Sequence, residues 1–201
     1  LEGSSCHVHM SLRTDSGEAV FAGDGEGDRH GFSKVFEHFL AGQLHAMREL
    51  TLFYAPNINS YKRYVDGSFA PTAIAWGRDN RTCALRIVGH SASSLRLENR
   101  VPGADVNPYL ACAAMIAGGM YGGDHELPLA PAFTGNAYAA DFERLPTTLR
   151  DALELWEKSD IARTAFGDDV VAHYANMARV ELAAFERSIT DWERVRGFER
   201  L

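Results

Sequence analysis

Ten residues near the start of the sequence, Gly3-Ser4-Ser5-Cys6-His7-Val8-His9-Met10-Ser11-Leu12, hold the densest chemistry in the chain. Along an extended strand successive side chains leave on opposite faces. Cys6, Val8, Met10 and Leu12 then point one way and His7, His9 and Ser11 the other, so one face is core and the other offers two imidazoles and a hydroxyl. Imidazoles ligate divalent metals, and a strand holds such groups more accurately than a loop does. The same H-x-H spacing also occurs on the inert solvent face of an edge strand, so the rest of the chain has to decide.

A second stretch alternates in the same way. Leu95 and Leu97 interleave with Arg96, Glu98 and Arg100, which puts three charged side chains on one face. Alone, this describes a surface strand in which Arg96 and Arg100 neutralise Glu98. Beside the histidine strand, it supplies a carboxylate for a divalent metal and guanidiniums for anionic oxygens. More arginines follow one another in Trp76-Gly77-Arg78-Asp79-Asn80-Arg81-Thr82-Cys83-Ala84-Leu85-Arg86-Ile87, where Cys83, Leu85 and Ile87 face the core of a strand and Arg86 faces away. Planar guanidinium forks match phosphate and carboxylate oxygens two at a time. Arg63 sits in a turn-rich segment from Ala55 to Ala75, where spacing alone leaves it either a solvated cation or a carboxylate binder.

The elements that must position these groups are legible in outline. Thr14-Asp15-Ser16-Gly17 is a turn, and Ala19-Val20-Phe21-Ala22 returns as a short strand before a Gly-rich loop from Gly23 to Gly31. Phe36, Phe39, Leu40, Met47 and Leu50 recur at helical spacing and predict one helix over about Phe32 to Phe53. Asn107-Pro108 starts the next helix as N-cap and first helical residue, and Tyr109 to Tyr121 is so uniformly small and apolar that it predicts burial on all sides. Gly122 to Leu145 reads as irregular, Thr147 to Lys158 as a short amphipathic helix. Asp168 caps a long final helix, with Val171, Tyr174, Ala178, Leu182, Phe185, Ile189 and Trp192 as its apolar stripe. Strands and functional loops come first and helices last, which predicts an α+β fold: a curved antiparallel sheet carrying the active-site face, packed by helices, with a helical C-terminal region.

The 201 residues, 46% hydrophobic, suffice for one core. A net charge of −7 argues against sequence-independent binding to nucleic acid or to an anionic membrane, so the expected ligands are small molecules. Three widely spaced cysteines without a C-x-x-C pair indicate neither a disulfide framework nor a zinc knuckle and fit a reducing cytoplasm. No apolar run is long enough to span a bilayer, and no basic stretch followed by an apolar one stands at the front. The chain opens on Leu1 and directly on its most chemical motif, which reads as part of a longer protein.

Taken together, the sequence resembles the C-terminal part of the catalytic domain of glutamine synthetases over nearly its whole length. The resemblance rests on Gly3 to Leu12, on Asn59-Ser60-Tyr61-Lys62-Arg63, on Asn80-Arg81 through Arg86, on Arg96-Leu97-Glu98-Asn99-Arg100, and on Asn107-Pro108-Tyr109-Leu110. The closing Asp191-Trp192-Glu193-Arg194 looks like the branch that ligates amines other than ammonia. It implies ATP-dependent formation of γ-glutamyl phosphate followed by attack of an amine, with Mg²⁺ or Mn²⁺ in the site. By position, His7 and Glu98 would ligate metal; His9, Ser11, Arg86 and Arg96 would contact ATP. Arg63, with Gly3, would hold glutamate; Arg81 and Arg100 would act on the transferring phosphoryl group and the acyl phosphate. Phosphoryl transfer is mostly positioning and charge neutralisation, and losing one transition-state donor typically costs ~3 kcal/mol. The family also implies a ring-shaped homo-oligomer, with the small N-terminal domain and further metal-binding carboxylates upstream, so that this chain alone would be inactive.

Two positions depart from the family. Ser68-Phe69-Ala70-Pro71 has Phe69 where glutamine synthetases carry the glutamate that helps bind and deprotonate ammonium. Phenylalanine can do neither, but it can pack on the alkyl body of a larger amine. Glu2 replaces an asparagine that helps hold glutamate, and a carboxylate there repels an anion unless it meets a cation. The reading is a γ-glutamyl-amine ligase acting on a polyamine, ethanolamine or another primary amine. The alternatives are an ordinary glutamine synthetase, a non-catalytic relative, which would have no use for the arginine set, and a metal hydrolase built on His7 and His9.

Overall fold

A computed structural model describes residues 3–23 and 31–200. Glu2 and most of the Gly23–Gly31 loop lie outside the described residues. The fold is α+β. Four strands, β1 (Val8–Met10), β2 (Ala73–Arg78), β3 (Cys83–Val88) and β4 (Arg96–Asn99), form one sheet in the order β1-β4-β3-β2. β4 pairs antiparallel with both β1 and β3, but β3 and β2 run parallel, so the sheet is mixed rather than antiparallel. Local alternation reports which face a side chain takes and nothing about strand direction, so the parallel pairing leaves no mark in the sequence.

Register fixes the two faces. His9 lies opposite Glu98, and Glu98 opposite Arg86, so three strands deliver three chemical side chains to one row. The next row, Met10, Leu97 and Ile87, belongs to the other face, where Leu97 and Ile87 are buried against the helices. The returning segment after β1 pairs through isolated bridges, Arg13 with Ala19 and Ala22 with Phe32, and not as a full strand.

Behind the sheet lie α1 (Lys34–Ala46), α2 (Thr51–Tyr54) and α3 (Pro108–Asp124). The single helix expected over Phe32 to Phe53 is broken into α1 and α2; between them Met47 bonds Leu44 and Thr51 bonds Arg48 in tighter i to i+3 fashion, and the Thr51 hydroxyl donates to the Met47 carbonyl at 2.7 Å. α1 and α3 touch backbone to backbone: a Cβ at Gly42 would collide with the Gly118 carbonyl and with Gly122. α3 is buried on that side only. Tyr109, Ile116 and Met120 are exposed, correcting the expectation of burial all round.

The C-terminal region holds α4 (Leu149–Lys158), α5 (Asp160–Phe166), α6 (Asp168–Glu186) and α7 (Asp191–Glu199). Trp156, Phe53, Phe166 and Tyr174 form an aromatic cluster joining α2, α4, α5 and α6, with Trp156 Nε1 donating to the Val171 carbonyl at 3.0 Å. The long final helix is two helices. Thr190 caps α7 in a reciprocal box with Glu193, and Gly167, not Asp168, is the N-cap of α6. Val171 and Ala178 of the expected stripe are buried, whereas Phe185, Ile189 and Trp192 face outward. Among the described residues no helix is long and apolar enough to cross a membrane.

Candidate active site

Glu98 is the centre of the chemical face. Its side chain is almost fully buried, yet four cationic or imidazole groups surround it. Oε1 lies 3.0 Å from His7 Nδ1, 2.7 Å from Arg100 Nη1 and 3.9 Å from His9 Nε2, and Oε2 accepts from Arg86 Nη1 at 2.9 Å. Burial alone would raise the Glu98 pKa, but hydrogen bonds from His7 and Arg86 and the charges of Arg100 and Arg86 hold it at about 2. The carboxylate is therefore ionised at any working pH.

The partners are themselves fixed. Arg86 Nη2 donates to Asp79 Oδ1 at 2.7 Å, so its fork spans two carboxylates. Arg96 Nε donates to His9 Nδ1 at 3.3 Å, which leaves the His9 proton on Nε2. Burial lowers the His9 pKa, the neighbouring arginines act in the same direction, and Glu98 only partly offsets them. Three guanidiniums facing two carboxylates leave an excess of positive charge, the field an anionic substrate needs.

A donor set for a divalent cation is present in part. His7 Nδ1 and Glu98 Oε1, now 3.0 Å apart across a hydrogen bond, could both turn to a cation once the proton between them is displaced. Among the described residues no group of three or more His, Cys, Asp or Glu side chains is arranged so that it could hold a metal ion by itself. With Arg86 and Arg100 this close, a cation also needs further anionic ligands from outside these residues, such as substrate phosphates.

Arg63 lies at the end of a 3₁₀ turn (Ile58–Arg63) and borders a separate cleft of about 540 Å³ lined by Gly3, Ser4, Asn59, Lys62 and Asp105. Its Nη2 donates to the Val101 carbonyl, and its guanidinium lies over the Tyr64 ring. Nε and Nη1 are buried without a protein partner. A guanidinium fixed in this way at the edge of a cleft supplies positive charge suited to a carboxylate. Gly3 has a plain role here, since a Cβ on it would come within 2.8 Å of Arg63 Cγ.

The Phe69 loop closes the Glu98 cluster from another side. Arg100 Nη2 donates to the Phe69 carbonyl at 3.1 Å. Phe69 has φ +60°, a left-handed conformation costing ~1 to 3 kcal/mol for a bulky residue, and its side chain is 61% exposed. Strain of this kind persists only where its surroundings hold it.

His7, His9, Glu98, Arg86, Arg96 and Arg100 thus converge, with the Phe69 backbone beside them. Ser11 is exposed just beyond β1, outside this cluster, and Arg81 is exposed in the β2–β3 turn, near enough to Arg100 for their charges to repel. Arg63 and Gly3 form their own cleft. Two acids gain a role only from the fold: Asp79, which anchors Arg86, and Asp105, which accepts from Ser60 Oγ at 2.6 Å and Asn57 Nδ2 at 3.1 Å beside the Arg63 cleft. The sequence signal for Asp79 is an acid set among the arginines of one turn; for Asp105 there is none.

A model of the glutamine synthetase catalytic domain matches residues 1–196 of this chain. The chain is 61% identical over its whole length to a γ-glutamylethanolamide synthetase of Streptomyces coelicolor, of which it covers 42%. It is 40% identical, over 96% of its length, to a glutamate-isopropylamine ligase of a Pseudomonas species, again covering 42% of that protein. A solved complex of GmaS with ADP superposes with a TM-score of 0.84 at 32% identity, covering 98% of this chain and 46% of the other. The chain spans less than half the length of these relatives.

Proposed function

The chain belongs to the glutamine synthetase catalytic-domain family, and we propose that its protein is an ATP-dependent ligase joining the γ-carboxylate of glutamate to an amine larger than ammonia. The observation that carries this reading is the pairing of the Glu98 cluster with Phe69: phosphoryl-transfer machinery stands beside a loop with no carboxylate at position 69. Relatives at 61% and 40% identity are named as a γ-glutamylethanolamide synthetase and a glutamate-isopropylamine ligase, and a structural relative was solved with ADP.

The chemistry proceeds in two transfers. A glutamate γ-carboxylate oxygen attacks the γ-phosphorus of ATP, ADP leaves, and γ-glutamyl phosphate results. The amine nitrogen then attacks the acyl carbon, losing a proton, and phosphate leaves with the electrons of the broken C–O bond. Arg63, which lines the cleft beside Gly3, would hold the glutamate α-carboxylate. Arg86 and Arg100, each anchored on Glu98, present positive charge to phosphoryl oxygens without reorganising during the reaction. Arg81 would add an exposed cation near Arg100, and His9, Ser11 and Arg96 would contact the nucleotide. Ligases of this family use ATP and a divalent cation; here His7 and Glu98 would hold one Mg²⁺ or Mn²⁺, which neutralises phosphate charge when bound. Phe69 offers the incoming nucleophile an apolar surface and no anion, which favours an amine with an alkyl body over ammonium.

We also place the chain as the C-terminal portion of the catalytic domain of a cytoplasmic homo-oligomer. α7 buries no side chain, and Ile189, Trp192, Val195 and Phe198 are exposed, which supports association through this end. The test of function is phosphate release by the full-length protein with glutamate, ATP and either ammonium or a panel of ethanolamine, isopropylamine and putrescine. Turnover is expected with one or more of the amines well above that with ammonium. A clear preference for ammonium overturns the reading in favour of an ordinary glutamine synthetase.

A further inference from the structure

The loop that carries Phe69 is held from a distant part of the chain that takes no part in the site described above. The Tyr138 hydroxyl, in a 3₁₀ turn (Ala137–Ala139), donates to the Ala70 carbonyl at 3.0 Å. Arg100 holds the preceding carbonyl, that of Phe69. Two consecutive carbonyls are thus gripped by side chains from two different elements, at the point where φ of Phe69 is left-handed.

The grip is backed up. Arg144 Nη2 donates to the Tyr138 and Ala140 carbonyls at 2.8 and 3.1 Å, and its Nη1 donates to Thr72 Oγ1 at 2.9 Å. That Thr72 hydroxyl donates in turn to Asp66 Oδ1 at 2.6 Å, so one arginine staples the Tyr138 turn to both ends of the Phe69 loop. On its other side the turn is tied to the sheet, where the Ala137 amide donates to Thr82 Oγ1 at 2.9 Å. Val65 and Phe69 are exposed, so the loop has little apolar burial of its own to fix it. A bulky residue in the left-handed region relaxes unless its surroundings over-determine it.

We propose that Tyr138 is a positioning residue: its hydroxyl holds the Phe69–Ala70 segment in the left-handed form and so sets which amine the site accepts. The first half stands on the hydrogen-bond geometry, and the second half rests on the ligase reading above. Tyr138 touches no reacting atom; it acts through the Phe69 loop.

The test is Tyr138→Phe in the full-length protein, which keeps the ring and removes the donor. Hydrogen-deuterium exchange over residues 65–72 is expected to quicken about fivefold, the worth of one net hydrogen bond, with the helices unchanged as a check on folding. The ratio of kcat/KM for the preferred amine to that for ammonium is expected to fall by a similar factor, with KM for ATP and for glutamate unchanged. Unchanged exchange over 65–72 overturns the holding role. Faster exchange with an unchanged amine ratio overturns the role in selection. Failure of the ligase reading itself shows separately, as absence of amine turnover in the unsubstituted protein, while exchange, which needs no turnover, still decides the holding role.

Discussion

Arg100 and Glu98 leave the same face two residues apart and meet at 2.7 Å, both buried. The same guanidinium reaches the Phe69 carbonyl through its other terminal nitrogen, so one side chain ties the carboxylate at the centre of the site to the loop at its edge. Arg100→Ala breaks a buried pair and leaves Glu98 with one guanidinium instead of two. We expect kcat to fall by about 10²- to 10³-fold and stability by about 3 kcal/mol. Arg100→Lys keeps the charge but cannot reach both partners, and should fall between. Steady-state kinetics with thermal unfolding separates the two effects, and a wild-type kcat in Arg100→Ala would remove it from the mechanism.

The depressed Glu98 pKa makes stability depend on pH in a defined window. The folded state titrates near 2 and the unfolded carboxyl near 4.5, so between those values the unfolded chain binds more protons. The contribution is complete above 4.5 and is lost as pH falls towards 2, amounting to roughly 3 kcal/mol. Chemical denaturation at a series of acid pH values should show this loss, and Glu98→Gln should flatten the dependence. Equal slopes for the two proteins would mean that Glu98 is not held as described.

Gly3 makes room for Arg63, and filling that room should injure glutamate binding specifically. Gly3→Ala places a Cβ 2.8 Å from Arg63 Cγ and forces the guanidinium to shift. KM for glutamate should rise roughly tenfold, with Arg63→Ala reaching about a hundredfold, while KM for ATP stays within about twofold. An equal rise in both constants would point to general disruption.

Phe69→Glu restores an anion where ammonium would need one. The ratio of kcat/KM for ammonium to that for the preferred amine should rise roughly tenfold or more. The left-handed φ suits neither residue well, so backbone strain is similar in both proteins and the comparison reports on the side chain. An unchanged ratio would discharge Phe69 as the selector.

Much of this site is legible in the amino-acid sequence alone, because strand alternation has period two and places Glu98, Arg96 and Arg100 on one face regardless of the partner strands. The helix breaks are only partly legible. Thr190-Asp191-Trp192-Glu193 is a capping box in plain view, yet the apolar stripe running through it suggests continuity. The break after Ala46 is a local switch to i to i+3 bonding that no Pro or Gly in Met47-Arg48-Glu49-Leu50 announces. The exposed side of α3 leaves no trace, since a run of Ala and Gly has no polar stripe to mark a face. Asp79, Asp105 and Tyr138 matter through partners distant in the fold, Tyr138 meeting Ala70 across 68 residues. No local pattern encodes such pairings.

β1 has a consequence for how the protein comes together in time. The strand is three residues long and pairs with β4, and the Arg96 to His9 contact joins positions 87 residues apart. Closing so long a loop for so short a strand gives little local return, so this pairing forms after β3, β4 and the helices behind them have met. On heating it is expected to open ahead of the β3–β4 pairing at the centre of the sheet. Chemical competence should therefore come late in folding and go early on heating, so that turnover is lost before the buried helices α1 and α3 melt.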